Sequence, residues 1–521
     1  MKNIGFWVMT VALFLSATSC TDEFLDTTPT DFISPANYYE TEEHLEYALA
    51  AVYSVLASNE VYAITMLVWF ANEADEGYYA RENRLVGVDV HNYSPSEQRI
   101  EAHWSGLYNG IQRANLLLAN IDKNPSIDQA IRDRIRGEAL FLRSYYYFLL
   151  VQHFGAVPLI IEPTMSTDNV TIPRTPAKDV YERIIEDMER AEKLVPPITS
   201  VGFGGRISKS AVRGILARVN LYMAGYPIRD VSRYAAARDW AKMVMDDAEA
   251  GHELNSDYTQ IFINYAQDKY DIKESIWQVE FFGNTENAYN ETGRVGGYIG
   301  IPTSNRDIGN SYGFIGVTSK LYGLYEEDDV RRDWNIAPFT YNANGEKQYF
   351  ASTAPKDLYN RRVGKYRREY EVVIPKANYC GPINWPLLRY SDVLLMYAEA
   401  DSEANGAPTT EPIAALNEVR ARANASLFEG ENSIDDMNEF REVLYDERSR
   451  ELAFEGMRKA DLIRWGIFVP TMKTVLNMIN AEAPGAYFGL KFRNVSERDV
   501  LLPIPSREMA LNKALVQNPN W

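Results

Sequence analysis

Apolar residues recur at spacings of three and four along much of the chain, which is the pattern of helices that bury one face. The segments that predict helices are 45–56, 104–121, 131–154, 180–194, 211–223, 235–245, 393–404, 413–423 and 443–454. Several follow one another across short turns, such as the one at Pro196-Pro197. Paired helices of this length predict a mostly α fold on a tetratricopeptide-like helix-pair scaffold, without a strict repeat.

This pattern breaks between about Gly251 and Pro386, where Gly, Asn and Tyr are abundant. A long stretch without periodicity is either functional or disordered, and its aromatic residues argue against disorder. We therefore predict an irregular, loop-rich subdomain with a few short strands, one of them over Ser275–Phe281. Helices are expected to resume after Arg389.

The first nineteen residues have the pattern of a signal peptide. Lys2 supplies a positive start, and the apolar run from Ile4 to Leu15 is too short to span a bilayer comfortably. We therefore predict a cleaved targeting segment over 1–19 and not a transmembrane helix.

Cys20 follows the small residues 16–19 and resembles the lipobox cysteine of bacterial lipoproteins, although Ala17 stands where a larger apolar residue is usual. Cleavage by the ordinary signal peptidase is the alternative. Asp22 and Glu23 resemble the surface-export signal of Bacteroidetes lipoproteins. The resemblance implies lipidation at Cys20, and we expect an anchored protein exposed on the outer membrane surface.

Charge and composition narrow the possible ligands. The formal net charge is -19, and loss of residues 1–19 removes only Lys2, so the mature chain carries -19 minus 1, or -20. Nucleic acid is excluded as a partner because phosphate binding needs a basic face. The 34 Tyr and 9 Trp residues suit neutral ligands better. Cys20 and Cys380 build no disulfide framework or metal site, and we predict no metal and no cofactor.

A surface-anchored glycan hydrolase is the main alternative, and such an enzyme would carry catalytic residues. Gly309 to Gly313 fits the G-x-S-x-G pattern around Ser311, but that chemistry needs a later histidine and all five histidines precede Ser311. Zinc-protease, P-loop, dinucleotide-binding and EF-hand motifs are absent from the sequence. Glycan hydrolysis needs only two carboxylates across a cleft, and the 72 acidic residues neither support nor exclude such a pair. We predict that the protein is not an enzyme.

A set of segments spread along the mature chain matches one family in order and spacing. They are CTDEFLDTTPTD from Cys20, HWSGLYNGIQRAN at 103–115, GEALFLRSYYYFLLVQHFGAVPLI at 137–160, GRISKSAVRGILARVNLYMAG at 205–225, LLRYSDVLLMYAEADSEAN at 387–405, ALNEVRARA at 415–423, ERSRELAFEGMRKADLIRWG at 447–466 and LLPIPSREMALNKALVQNPNW at 501–521. Together they resemble the SusD/RagB-like nutrient-binding outer-membrane lipoproteins of the starch-utilisation-system type.

The resemblance implies a SusD-like fold and a role for the protein outside the cell. It implies binding of an oligosaccharide or polysaccharide, or of a peptide in some members, and delivery to a SusC-like TonB-dependent transporter. A non-catalytic adhesin or structural lipoprotein is the second alternative, and a concave aromatic pocket would distinguish a binding protein from it.

The organisation that we expect has five parts. They are a signal peptide over 1–19, a lipidated tether over 20–40, an N-terminal helical region over 41–250, a loop-rich ligand face over 251–386 and a C-terminal helical region over 387–521.

Two helical motifs are predicted to be scaffold. Phe141, Tyr145, Phe148 and Leu149 share one helical face and are expected in the core, whereas the alternating charges of ERSRELAFEG at 447–456 are expected on a solvated face.

A glycan site needs aromatic planes that stack on sugar rings and polar side chains that hydrogen-bond to hydroxyls. In the family the ligand face uses a loop after the first helix and the irregular middle region. By resemblance, the candidate ligand-binding residues are Tyr78, Tyr79, Arg81 and Tyr93 in the first region and Tyr289, Tyr298, Arg306, Tyr312 and Trp334 in the second. Trp69 lies in the apolar run Ile64–Phe70 and is expected in the core.

Overall fold

Helices dominate the computed structural model of the protein, which describes residues 38–70, 74–166, 171–285 and 290–521. In the N-terminal half they are α1 (Glu42–Tyr53), α2 (Gln98–Asn120), α3 (Gln129–Phe154), α4 (Ala177–Glu192), α5 (Ile198–Val201), α6 (Lys209–Ala224), α7 (Arg233–Met245) and α8 (Tyr258–Gln267). Then come α9 (Ser319–Leu324), α10 (Arg332–Asn335), α11 (Pro355–Leu358), α12 (Tyr390–Asn405), α13 (Thr410–Arg422), α14 (Met437–Leu452), α15 (Arg458–Arg464), α16 (Phe468–Glu482), α17 (Gly489–Asn494) and α18 (Ser506–Leu511). Every helix predicted from the apolar periodicity is present.

The long helices form one continuous array in which each packs on the next. α2 packs on α3, α3 on α4, α4 on α6 and α6 on α7. The array then continues from α7 directly to α12 and α13, although the loop-rich region separates α7 from α12 in the sequence. The mostly α fold with helix pairs is confirmed, and the loop-rich region is an excursion from this array.

Side chains satisfy the free amide groups at several helix starts, which helps to place the helix boundaries. Asp128 accepts a hydrogen bond from the backbone of Ala130 at the start of α3, and Ser208 does the same for Ala211 at the start of α6. Between these ends, α3 is buried along most of its length, and the core prediction is confirmed because Phe141 and Tyr145 are 0% and 2% exposed. Phe148 and Leu149 are buried with them.

The strands are short and pair two by two. They are β1 (Gly77–Tyr79), β2 (Ser275–Val279), β3 (Phe282–Gly283), β4 (Asn290–Glu291), β5 (Ile315–Val317), β6 (Phe339–Tyr341), β7 (Lys347–Tyr349) and β8 (Trp385–Arg389). The antiparallel pairs are β1 with β5, β2 with β8, β3 with β4 and β6 with β7. The strand predicted over 275–281 is therefore confirmed as β2, and its partner β8 leads straight into α12.

The prediction of a solvated face for ERSRELAFEG is wrong. Glu447 and Glu451 of α14 are 0% exposed and Arg448 is 3% exposed. The two glutamates meet cations from other elements: Arg331 lies 2.6 Å from Glu447, and Arg389 lies 2.8 Å from Glu451. Alternating charges on one helix do not show whether distant partners will cover them, which is why the sequence was misleading here. The buried network joins α14 to the loop-rich region.

Among the helices in the described parts of the chain, none is both long and apolar enough to cross a membrane.

Candidate ligand-binding surface

The pairing of β1 with β5 sends two neighbouring tyrosines in opposite directions, because successive side chains of a strand alternate between its faces. Tyr78 points into the protein, stacks on Phe488 with ring centroids 4.5 Å apart and donates its hydroxyl hydrogen to the carbonyl oxygen of Tyr359. Its partner across the ladder is Gly316, where a Cβ would lie 2.3 Å from the Tyr78 ring. Tyr79 consequently lies on the other face and is partly exposed.

A second element positions three more rings. Tyr298 lies in a π-helical turn, Val295–Ile299, and the backbone amide of Tyr312 donates to the carbonyl oxygen of Gly297 in that turn at 2.8 Å. A Cβ on Gly297 would lie 2.0 Å from the carbonyl oxygen of Tyr379, so glycine permits the close approach of the two backbones. Tyr379 is thereby brought against Tyr312, with ring centroids 3.7 Å apart and planes 7° apart.

Phe314 lies at the centre of these rings. Its centroid is 5.3 Å from that of Tyr79, 4.7 Å from that of Tyr312 and 5.2 Å from that of Tyr298. Trp69 extends the group, with its ring centroid 5.2 Å from that of Tyr79. We call this group the aromatic surface, and it consists of Trp69, Tyr79, Tyr298, Tyr312, Phe314 and Tyr379.

All six members of the aromatic surface are partly exposed. They come from five places along the chain, with Tyr312 and Phe314 in the same segment, and a chain of ring contacts joins them. Stacked and edge-to-face aromatic contacts of this kind hold rings in place. The rings are therefore already fixed in place before a ligand binds, and they lose little conformational freedom on binding.

Arginines lie beside these rings. The guanidinium carbon of Arg81 lies 4.8 Å from the Phe314 centroid, and that of Arg294 lies 5.4 Å from the Tyr298 centroid. Arg99 and Arg84 approach Trp69 at 4.1 Å and 5.2 Å. The surface thus combines planes for stacking with N–H donors for hydrogen bonding.

The phenol groups of Tyr79 and Tyr312 stay neutral under ordinary conditions. Burial raises the pKa of Tyr79, and the nearby Asp89 carboxylate raises it further. Burial also raises the pKa of Tyr312, together with the adjacent Tyr379 hydroxyl. Both side chains can therefore donate as well as accept hydrogen bonds at neutral pH.

Of the candidate residues from the sequence, the structure brings four together: Tyr79, Arg81, Tyr298 and Tyr312. Tyr78, Tyr93 and Trp334 are elsewhere and buried, at 2%, 7% and 6% exposure. Tyr93 packs on Trp521, and Trp334 lies under the guanidinium of Arg367 at 3.9 Å. Arg306 is exposed in the loop between Thr303 and Ser311. Tyr289 and Cys20 lie outside the described residues.

Three members of the aromatic surface were missed. Phe314 lies two residues after Tyr312, a spacing that puts both rings on one side of an extended segment and could have indicated it. Tyr379 has no such signal, because its position depends on the approach of two distant loops. Trp69 was expected in the core, but its ring is partly exposed beside Tyr79 and Arg99.

The G-x-S-x-G segment does not form a nucleophile with a base. The Ser311 side chain is 5% exposed, and its hydroxyl has no hydrogen-bond partner within the described residues. All five histidines belong to the described part of the chain, so none is hydrogen-bonded to Ser311. In that same part, no group of three His, Cys, Asp or Glu side chains is arranged to hold a metal ion.

Two family models match the chain. Residues 273–521 match the model of the SusD family, and residues 23–221 match a model described as starch-binding and associating with the outer membrane. The fold points the same way: a SusD homologue from Bacteroides thetaiotaomicron superposes with a TM-score of 0.87 at 28% identity, over 94% of this chain and 99% of that one. The chain therefore belongs to the SusD family.

Two relatives match at least four fifths of the chain. SusD-like protein P25 of Formosa agariphila is 26% identical, covering 98% of this chain and 97% of its own. The starch-binding protein SusD of Bacteroides thetaiotaomicron is 25% identical, over 82% of this chain and 80% of its own. The activity stated in that second name is binding and not catalysis.

Proposed function

We propose that this protein binds an oligomeric glycan at the aromatic surface, outside the cell, and delivers it to a SusC-like TonB-dependent transporter. The observation that supports it most directly is the aromatic surface itself. Sugar rings carry apolar C–H faces, and rings of Tyr, Trp and Phe offer large planes that lose little side-chain entropy on binding. The name of the starch-binding relative supports the same ligand class.

The position of the aromatic surface suits an extended ligand. Its rings run from Trp69 through Tyr79 and Phe314 to Tyr312 and Tyr379 in successive contacts. A chain of sugars can occupy several such planes at once, and the many weak contacts then add. A hydrolase would need a pair of carboxylates flanking the bond to be cut, whereas the carboxylates beside this surface, Asp89 and Glu97, are paired with Arg84 and Arg99.

The binding proposal is tested with purified protein and a panel of neutral and acidic polysaccharides in affinity electrophoresis. At least one polysaccharide should retard the protein, and Tyr312→Ala should weaken that binding at least tenfold, as loss of a well-placed aromatic anchor costs about 2 kcal/mol. Tyr47→Ala is the matched control, because Tyr47 is 54% exposed on α1, away from the aromatic surface. Equal binding by the Tyr312 variant would place the site elsewhere.

The non-catalytic part of the proposal has its own test. Long incubation with a glycan that the protein binds should leave the length of the glycan chain unchanged. Product formation that disappears when one Asp or Glu is substituted would favour the hydrolase instead.

Anchoring and delivery are tested in the native host. Acyl chains contribute about 0.8 kcal/mol per buried CH₂, so multiple acylation of Cys20 should hold the protein permanently at the membrane. Cys20→Ala should therefore release it into the medium or periplasm. A tagged protein purified from outer membranes in detergent should carry a TonB-dependent barrel, and its absence would contradict the delivery role.

A further inference from the structure

Among the residues that the structure describes, two arginines at the aromatic surface have only neutral hydrogen-bond partners. Arg81 donates from Nη1 to the carbonyl oxygen of Ala80 at 2.8 Å and from Nη2 to that of Tyr312 at 2.9 Å. Arg294 donates from Nη1 to the Sγ atom of Cys380 at 3.1 Å. Neither forms an ion pair with a carboxylate in the described part of the chain. Each guanidinium has five N–H donors, so both retain donors for a ligand.

Both guanidinium groups lie against rings of the surface. Arg81 contacts Phe314 at 4.8 Å and Arg294 contacts Tyr298 at 5.4 Å, and the centroids of these two rings are 5.2 Å apart. A ligand stacked on Phe314 or Tyr298 is therefore beside at least one of the two charges.

The other two arginines of the surface differ from this pair. Arg84 binds both oxygens of the buried Asp89, at 2.9–3.1 Å, and Arg99 lies 2.8 Å from a carboxylate oxygen of Glu97. The chain has 72 acidic residues against 53 Lys and Arg, so carboxylates are in excess overall. Arg81 and Arg294 nevertheless form no ion pair with any carboxylate of the described residues, at the surface where the ligand would bind.

We propose that the glycan bound here is acidic, with carboxylate or sulfate groups that pair with Arg81 and Arg294. This inference rests on the proposed glycan-binding function. The planar guanidinium fork matches both kinds of anion with two parallel hydrogen bonds. Partial burial among aromatic rings lowers the local dielectric and strengthens such pairs relative to bulk water.

The negative net charge of the protein does not prevent an acidic ligand from binding beside the two arginines. At physiological ionic strength the screening length is about 8 Å, so distant carboxylates are largely screened while the two guanidinium groups act directly. Overall composition favours a neutral ligand, whereas the local charges of Arg81 and Arg294 favour an acidic one.

Matched pairs of polymers test the charge of the ligand. The pairs are polygalacturonate with its carboxyl-reduced form, and a sulfated galactan with its desulfated form. We expect at least one acidic member to bind at least about tenfold more tightly than its neutral counterpart at low salt, with a smaller ratio at 0.5 M salt. The pair that shows this ratio distinguishes carboxylate from sulfate.

Two results would overturn the acidic-ligand inference: equal affinity within both pairs, or failure of both acidic polymers to bind. In either case binding of any neutral polysaccharide from the panel leaves the proposed function intact, whereas failure of every glycan removes that function itself.

Variants then assign the preference to the two residues. Arg81→Gln and Arg294→Gln should each reduce affinity for the acidic polymer about tenfold and weaken its salt dependence, which the remaining guanidinium sustains in part. Arg190→Gln is the control for net charge, since Arg190 is 51% exposed on α4 and pairs with Asp187 at 3.4 Å. Arg81→Lys retains the charge without the fork and should fall between the parent and Arg81→Gln. Unchanged affinity in both Gln variants would contradict the inference.

Discussion

Tyr312 and Tyr379 stack face to face with ring centroids 3.7 Å apart, although they belong to different loops of the loop-rich region. The approach that produces this pair occurs at Gly297, whose missing side chain leaves room for the Tyr379 carbonyl group. The geometry of the aromatic surface therefore depends on a glycine that itself has no group to offer a ligand.

Gly297→Ala should weaken glycan binding with little change in the helices. The added Cβ would lie 2.0 Å from a backbone oxygen, so the Tyr379 segment must move and the stack with Tyr312 must open. The expected result is at least a tenfold loss of affinity with an unchanged far-ultraviolet circular dichroism spectrum, measured by calorimetric titration. Gly323→Ala is the control, because a Cβ there meets nothing within 4 Å. Wild-type affinity in the Gly297 variant would mean that Tyr379 does not contribute to binding.

Tyr78 and Tyr79 offer a test within a single dipeptide. Tyr79→Ala removes a partly exposed ring between Trp69 and Phe314, so it should reduce affinity and leave the melting temperature near that of the parent. Tyr78→Ala empties a buried site and should lower the free energy of unfolding by about 3–5 kcal/mol. Chemical denaturation measures the stability of both variants, and titration with the glycan measures their affinity. If only Tyr78→Ala lost affinity while it remained folded, the assignment of Tyr79 to the binding surface would be refuted.

The fold was largely predictable from local signals, and the site only in part. Apolar periodicity is a property of each helix by itself, which is why α2, α3 and the other long helices could be located without their partners. The choice between Tyr78 and Tyr79 depends on which face of β1 is covered, and that is decided by pairing with β5. The buried charges of α14 also needed distant partners, Arg331 and Arg389, that no local pattern indicates.

Stability should fall as the pH rises through the range in which Glu76 titrates. Burial raises the pKa of Glu76 to about 7, and the neighbouring Asp75 carboxylate adds to this, against the opposing effect of Arg458. The unfolded chain loses this proton near the ordinary value of about 4.3 while the folded chain keeps it, so stability declines between about pH 4 and 7. Above that range the loss is constant, at most about 4 kcal/mol.

Glu76→Gln should remove this contribution. The Glu76 carboxyl accepts from the Ser449 hydroxyl and from the Phe454 backbone amide, each at 3.2 Å, and an amide can accept from Phe454 and donate to Ser449. The variant should match the parent near pH 4 and become relatively more stable as the pH rises to 8, in urea denaturation at each pH. A constant difference across this range would show that Glu76 does not titrate in it.

The buried charge network should be far more sensitive to substitution than the surface ion pairs. Glu451 of α14 accepts hydrogen bonds from Arg331, Arg389 and Arg422. Burial alone would raise the pKa of Glu451, but these three guanidinium groups hold it well below its usual value, so the carboxylate stays ionised in acid. Glu451→Gln leaves buried cations with one partner fewer and should cost about 3–5 kcal/mol of unfolding free energy.

Glu186→Gln provides the comparison for this last substitution. Glu186 pairs with Arg183 at 3.6 Å on the outside of α4, where its side chain is 61% exposed. Its loss should cost at most about 1 kcal/mol, because an exposed ion pair gains little in water. Urea denaturation of the two variants measures the difference directly. Costs of similar size would mean that the desolvation penalty of the α14 network cancels the attraction between its charges. The charges of ERSRELAFEG would then contribute little more to stability in their buried positions than on the solvated face that the sequence predicts.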